Sequence, residues 1–141
     1  MTVWRSRAIY VALALVTICV GLLVHLRGTG LDPVVRDMCG DALWATMIAW
    51  WIGALAPLAT VAWRGVAAYA ICAVVEISQA FHTPTLDAVR ATRPGQLVLG
   101  SGFDPRDFVA YAIGVGAAVA IERMRRRSRT IPSNRYSESS S

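Results

Sequence analysis

Lysine is absent from this chain of 141 residues, and all fourteen basic residues are arginine. That bias reflects composition more than mechanism. Cysteine is scarce too: Cys19, Cys39 and Cys72 are the only three. Two of them fall inside apolar stretches, and their spacing fits neither a disulfide framework nor a metal site. Histidine is limited to His25 and His82, each at the edge of an apolar run. Two interfacial histidines are too few to hold a metal unless carboxylates converge on them, so no metal and no cofactor is expected. No phosphate-binding loop, nucleophile elbow or metalloprotease motif occurs. The reading therefore leans away from an enzyme. What the chain has in excess is apolar surface: 55% of its residues are hydrophobic, with a mean hydropathy of +0.48. An ordinary soluble domain is less apolar than this.

A membrane protein accounts for the balance. The +5 net charge lies mostly in an arginine-rich stretch after the last apolar run. That position suits anchoring beside anionic lipid rather than nucleic-acid binding. Membrane lipid is thus one expected partner, and no nucleic acid is expected. A homo-oligomer is compatible with the sequence.

Four apolar stretches stand out, at 8–26, 42–63, 66–81 and 108–121, the last reaching spanning length as a helix over 105–124. Crossing about 30 Å of hydrocarbon takes about 20 helical residues. The expected fold is therefore all-α, a four-helix transmembrane bundle over residues 1–127, followed by a disordered cytoplasmic tail at 128–141. Arg64-Gly65 is expected to turn a tight hairpin between the second and third helices. The first stretch is read as an uncleaved helix, since no small-x-small site follows it. With both termini inside, nine arginines lie on the cytoplasmic side and five outside, where most of the acids also fall. That count favours N-in/C-in and a multi-pass protein of the cell membrane. Thr83-Pro84-Thr85 then opens a short helix over 85–92 in the second outer loop. Asp104-Pro105-Arg106-Asp107 reads as the start of helix four.

Glu76 is the most informative residue. A carboxylate inside a membrane span costs on the order of 3 kcal/mol, so it is retained for a partner or a task. Gln79 shares its face at i+3. Asp107, Tyr111 and Gly114 form one stripe on helix four, and small residues there allow close packing. Arg90 and Arg93 are also three apart. The expectation is an outward-facing polar cluster of Glu76, Gln79, Arg90, Arg93, Asp104, Asp107 and Tyr111, joined by Arg36, Asp37 and Asp41 ahead of helix two. Glu76 is expected to pair with Arg90 or Arg93. Such a pair serves either to fix helix register or to form a working site, and both readings stand at this level.

The order Glu76-x-x-Gln79, an arginine-bearing loop, then Asp107 with Gly114 resembles the VanZ-like membrane proteins. Tyr111, the phrase Gly100-Ser-Gly-Phe103 and Arg36-Asp37-x-x-Gly40-Asp41 look closer to a related small bacterial membrane family. That family is known only as a domain of unknown function, number 2809. The resemblance covers roughly residues 8 to 125. It implies the four-helix architecture and a shared polar motif, with no reaction attached. Gly40-Asp41 lacks the Lys and His of the VanZ pattern, and Tyr111 replaces its Asn, which argues against glycopeptide resistance.

Three functions fit. The foremost is a non-enzymatic binding or cell-envelope accessory role, with a lipid head group, a cell-envelope precursor or a partner protein as ligand. The second is a proton-coupled small transporter component using Glu76. The third, an intramembrane enzyme on lipid-linked substrates, lacks an identifiable nucleophile.

Overall fold

The computed structural model describes residues 3–92, 94–95 and 102–128. Among them every regular element is a helix. In order these are α1 (Val3–Arg27), a single 3-10 turn (Gly28–Gly30), α2 (Pro33–Leu55), α3 (Val61–Gln79), α4 (Pro84–Arg90) and α5 (Asp107–Ser128). Arg93, the segment 96–101 and the tail from 129 lie outside the described residues, so the expected Arg93 pairing and tail do too.

Local chemistry sets the helix ends. The Asp32 carboxylate accepts from the Val34 N–H at 2.9 Å, with Pro33 at the first position of α2, a cap-and-proline start that needs no missing donor. Thr60 caps α3 through Trp63 N, and Thr83 caps α4 through Leu86 N. Asp107 in the first turn of α5 and three arginines in its last turn complement the helix dipole.

The hairpin between α2 and α3 differs from the sequence expectation. Helix α2 stops at Leu55 and α3 starts at Val61, so the turn falls at 56–60 rather than at Arg64-Gly65. Pro57 is the reason: it has no N–H to continue the ladder and disfavours the helical conformation at Ala56. Unbroken apolarity concealed that break. Arg64 consequently lies inside α3, not in a turn. At the other end, Asp104 and Pro105 precede α5, and the helix begins at Asp107.

Three helices, α1 to α3, are long and apolar enough to cross a membrane. The large apolar residues they expose, such as Leu15, Val16, Leu23, Val66 and Val74, form the surface expected against lipid. The buried faces combine many small residues with a few large ones, Tyr10, Trp50 and Ile52. Helix α1 contributes Tyr10, Ala14 and Thr17; α2 contributes Ala45, Ala49 and Gly53. Helix α1 packs on α2, while α2 and α3 both pack on α5. Helices surrounded by lipid gain little from burying apolar groups against one another, so close backbone approach supplies the association energy. Gly114 marks the closest such approach. A Cβ there would overlap the Ala42 carbonyl oxygen and lie 2.8 Å from its carbon. Thr46 Oγ1 clamps the same crossing, donating to Ala42 O at 2.8 Å and lying 2.9 Å from Gly114 O.

The seam between α3 and α5 positions the polar residues. On α3 the buried stripe runs Arg64, Gly65, Ala68, Cys72, Glu76, Gln79; on α5 it runs Tyr111, Gly114, Val115, Ala118, Glu122. The helices are antiparallel across it, since Glu76 meets Tyr111 and Arg64 meets Glu122. Twelve residues of helix between Arg64 and Glu76 span about 18 Å. The seam thus has a polar end, an apolar middle and a second polar end.

Candidate functional site

Glu76 is 0% exposed. Its Oε1 accepts from the Asp104 backbone N–H at 2.7 Å, and its Oε2 from Tyr111 Oη at 2.9 Å and Gln79 Nε2 at 3.2 Å. Gln79 in turn accepts from the Gly102 N–H through its Oε1 at 3.2 Å. Two side chains one helical turn apart on α3 therefore hold both the start of α5 and the segment leading into it. Hydrogen bonds to a charged acceptor contribute about 1.5–3 kcal/mol each, so this set of donors is what makes a buried carboxylate tolerable.

Asp41 from α2 and Asp107 from α5 complete the cluster, both half-buried. Asp41 and Asp107 lie near enough to each other and to Glu76 for the three carboxyl groups to interact electrostatically. Three acidic side chains from three helices thus meet at one end of the bundle. Among the described residues, no group of three or more His, Cys, Asp or Glu side chains could hold a metal ion.

The remaining expected members lie elsewhere. Arg90 does not reach Glu76. Its guanidinium donates to Ser78 O at 2.7 Å and Phe81 O at 3.0 Å, and pairs with Asp87 at 3.6 Å. The last carbonyls of a helix lack partners of their own, and an arginine that satisfies them gains as much as one paired with an acid. Arg36 and Asp37 form a pair at 3.7 Å on the exposed first turns of α2. Asp104 pairs with Arg106 at 2.7 Å on the surface. The hydrogen bonds from Arg106 hold the Asp104 carboxyl below its ordinary range. Asp104 thus contributes to the cluster through its main chain, while its side chain turns outward. His82 sits beside Asp87 at 3.2 Å, also exposed.

A second polar cluster, which sequence reasoning missed, closes the other end of the seam. Glu122 is 5% exposed and Arg64 4%. Glu122 Oε1 accepts from Tyr10 Oη at 2.6 Å, Arg126 Nε at 2.8 Å and Arg64 Nη2 at 3.2 Å. Arg125 approaches Glu122 Oε2 at 3.9 Å. The guanidinium of Arg64 also lies over the Tyr10 ring, 5.0 Å from its centre. A single acid among many arginines, at i−3 and i−4 from two of them, was the available signal.

A family model described as a protein of unknown function, DUF2809, matches residues 30–115, more than half of the chain. The match spans α2, α3, α4 and the first turns of α5, including Asp41, Glu76, Gln79 and Tyr111. No solved structure matches the chain.

Proposed function

The chain belongs to the DUF2809 family, and from that premise we propose a non-enzymatic integral membrane protein of the bacterial cell envelope, related to the VanZ-like proteins. Helices α1, α2, α3 and α5 span the membrane with both termini cytoplasmic, α4 lies at the outer face, and the Glu76 cluster opens outward. The observation carrying this reading is the convergence on Glu76: one fully buried carboxylate takes donors from α3, from α5 and from the main chain ahead of α5. Its oxygens face inward onto those donors. The rim that faces the surface consists of Asp41, Asp107 and the Asp104–Arg106 pair. The carboxyl groups of Asp41, in the third turn of α2, and of Asp107, at the start of α5, oppose an anion there, so the rim suits a cationic or donor-rich group. The amine of a lipid head group or of an envelope precursor has that chemistry.

Replacing Asp41 or Asp107 by Asn tests this. The reading expects near-native stability in detergent together with loss of complementation in a deletion host scored for tolerance to envelope-active antibiotics. Full complementation by both variants would reduce the cluster to a structural role.

A second reading, proton transfer, draws on the closeness of the carboxyl groups of Asp41, Asp107 and Glu76. Transport across the membrane also needs a path to the other side. Ala45, Ala49, Ala68, Cys72, Val115 and Ala118 fill the seam between its two polar ends, which disfavours one. Pyranine-loaded liposomes holding the protein should therefore show no proton flux above that of empty ones.

A further inference from the structure

The Glu122 end of the bundle gathers positive charge from helices that are far apart in sequence. Tyr10 Oη donates to Glu122 at 2.6 Å, which sets the start of α1 level with the end of α5. Residues 3–9 of α1 and 123–128 of α5 run on past that bond, each for about 10 Å. Arg5 and Arg7 lie on the first of these extensions, and Arg123, Arg125, Arg126 and Arg127 on the second. Among the described residues at this end the only acid is Glu122. It is 5% exposed and already bonded to Tyr10, Arg64 and Arg126. Arg5, Arg7, Arg123 and Arg127 are exposed, and no carboxylate among the described residues pairs with any of them. Their charge is directed outward.

What surrounds the arginines decides what meets them. Trp4, Leu55, Leu58, Trp63 and Met124 are strongly exposed at the same end. Arg7 lies over the Trp4 ring, 5.8 Å from its centre. Tryptophan beside arginine, with leucine alongside, suits a helix end seated between acyl chains and head groups. A free anion matches the arginines alone. A phospholipid matches both kinds of residue, its phosphate against guanidinium and its chains against Leu55, Leu58 and Trp63.

We propose that this rim collects anionic phospholipid, with Arg5 and Arg7 of α1 and Arg123 and Arg127 of α5 as one shared set of head-group donors. Every donor in the set is a surface side chain, so head groups reach it without entering the bundle. All four lie outside the residues 30–115 that the family model matches, so membership of the family does not imply them. The proposal rests on the membrane-spanning reading given above but not on its direction, since the rim meets one leaflet either way.

The test reconstitutes the full chain in phosphatidylcholine vesicles, with brominated phosphatidylglycerol or brominated phosphatidylcholine as the minor lipid. Bromine on the acyl chains quenches nearby tryptophans, and Trp4 and Trp63 are exposed at the rim. At low salt the relative binding constant should favour phosphatidylglycerol on the order of fivefold, the contribution of one arginine near an anionic surface. Added salt should screen that preference. Arg5→Gln with Arg7→Gln, and Arg123→Gln with Arg127→Gln, replace exposed side chains that hold no ion pair. Both double variants should unfold at the parent midpoint in detergent. Each should lower the preference, and all four substitutions together should abolish it. Equal quenching by the two lipids would overturn the proposal. So would a preference that survives the fourfold variant, or one that the α1 pair leaves unchanged, which would deny the shared rim. If inorganic phosphate removes the preference beyond the effect of chloride at equal ionic strength, the arginines belong to a free anion instead. Absence of quenching by either lipid is a different failure, because it would refute the membrane-spanning reading itself.

Discussion

Gly114→Ala adds one methyl group where α2 and α5 are closest. The new carbon would overlap the Ala42 carbonyl oxygen and sit 2.8 Å from its carbon and 3.0 Å from Ala42 Cα. Carbon contacts are most favourable at roughly 3.5–4.0 Å, so the helices must part by about 1 Å. The obstacle is main chain, which has no rotamer to change. Overpacking of this kind costs about 1–3 kcal/mol. Parting the helices also weakens the Thr46 contact with Gly114 O, worth about 1 kcal/mol. Alanine's better helix propensity returns about 1 kcal/mol, leaving a net loss of about 1–3 kcal/mol. Gly116→Ala is the control, because nothing lies within 4 Å of a Cβ built there. Only the propensity gain applies to it, so it should be neutral or slightly stabilising. Equilibrium unfolding in mixed micelles of dodecyl sulfate and dodecylmaltoside measures both. If Gly114→Ala proves as stable as Gly116→Ala, the α2–α5 contact is not as close as described, and the placement of Tyr111, three residues earlier, loses its support.

Other outcomes follow from the same contacts. Arg90→Ala and Glu76→Gln should add in the double variant within about 0.5 kcal/mol, because they share no partner; strong coupling in the same unfolding assay would restore the Glu76–Arg90 pair that the structure lacks. Tyr111→Phe removes one donor from Glu76 and should cost about 1–3 kcal/mol, whereas Tyr69→Phe, which has no part in the cluster, should not. Glu122→Gln leaves buried Arg64 without its counter-charge and should destabilise by about 3–5 kcal/mol. Asp104 sets one pH dependence. Its carboxyl lies below the ordinary value in the folded state, so its contribution is present above the unfolded value near 4 and is lost as pH falls through the lower folded one. Asp104→Asn should remove that acid-limb component from a stability profile measured between pH 3 and 6.

Helical period made part of the site legible. Glu76 with Gln79, and Asp107 with Tyr111 and Gly114, are same-face pairs that any α-helix enforces, and the structure brings both sets together. The partner of an arginine is less legible. Opposite charge points to Arg90 or Arg93 as the partner of Glu76, yet the unpaired carbonyls at the end of α3 compete for the Arg90 guanidinium, and no residue letter records them. Main-chain donors are equally invisible. The N–H groups of Gly102 and Asp104 do the work that the sequence reading gave to arginines. The Glu122 cluster was missed for a different reason. Passing over Pro57 placed Arg64 in a turn, and reading 123–127 as a charge run hid the single acid just before it.

The two ends of the α3–α5 seam perform different tasks. In lipid, small residues bring helices close, but a uniform stripe of alanines leaves their axial register poorly fixed. Here Glu76–Tyr111 and Arg64–Glu122 lie at opposite ends of one stripe. A slip of a single residue rotates each helix by about 100° and breaks both pairs at once, so the polar ends set the register and the apolar middle sets the distance. The ends differ in what they leave over. At Glu76 both oxygens and the neighbouring amide are matched internally. At Glu122, three of the four described buried side-chain atoms without a hydrogen-bond partner are found: Arg64 Nε, Glu122 Oε2 and Arg125 Nη1. An acid within an apolar run draws attention to the first end, yet spare hydrogen-bonding capacity gathers at the second. A closed network at Glu76 and an incompletely matched one at Glu122 therefore hold the same two helices in register from opposite ends.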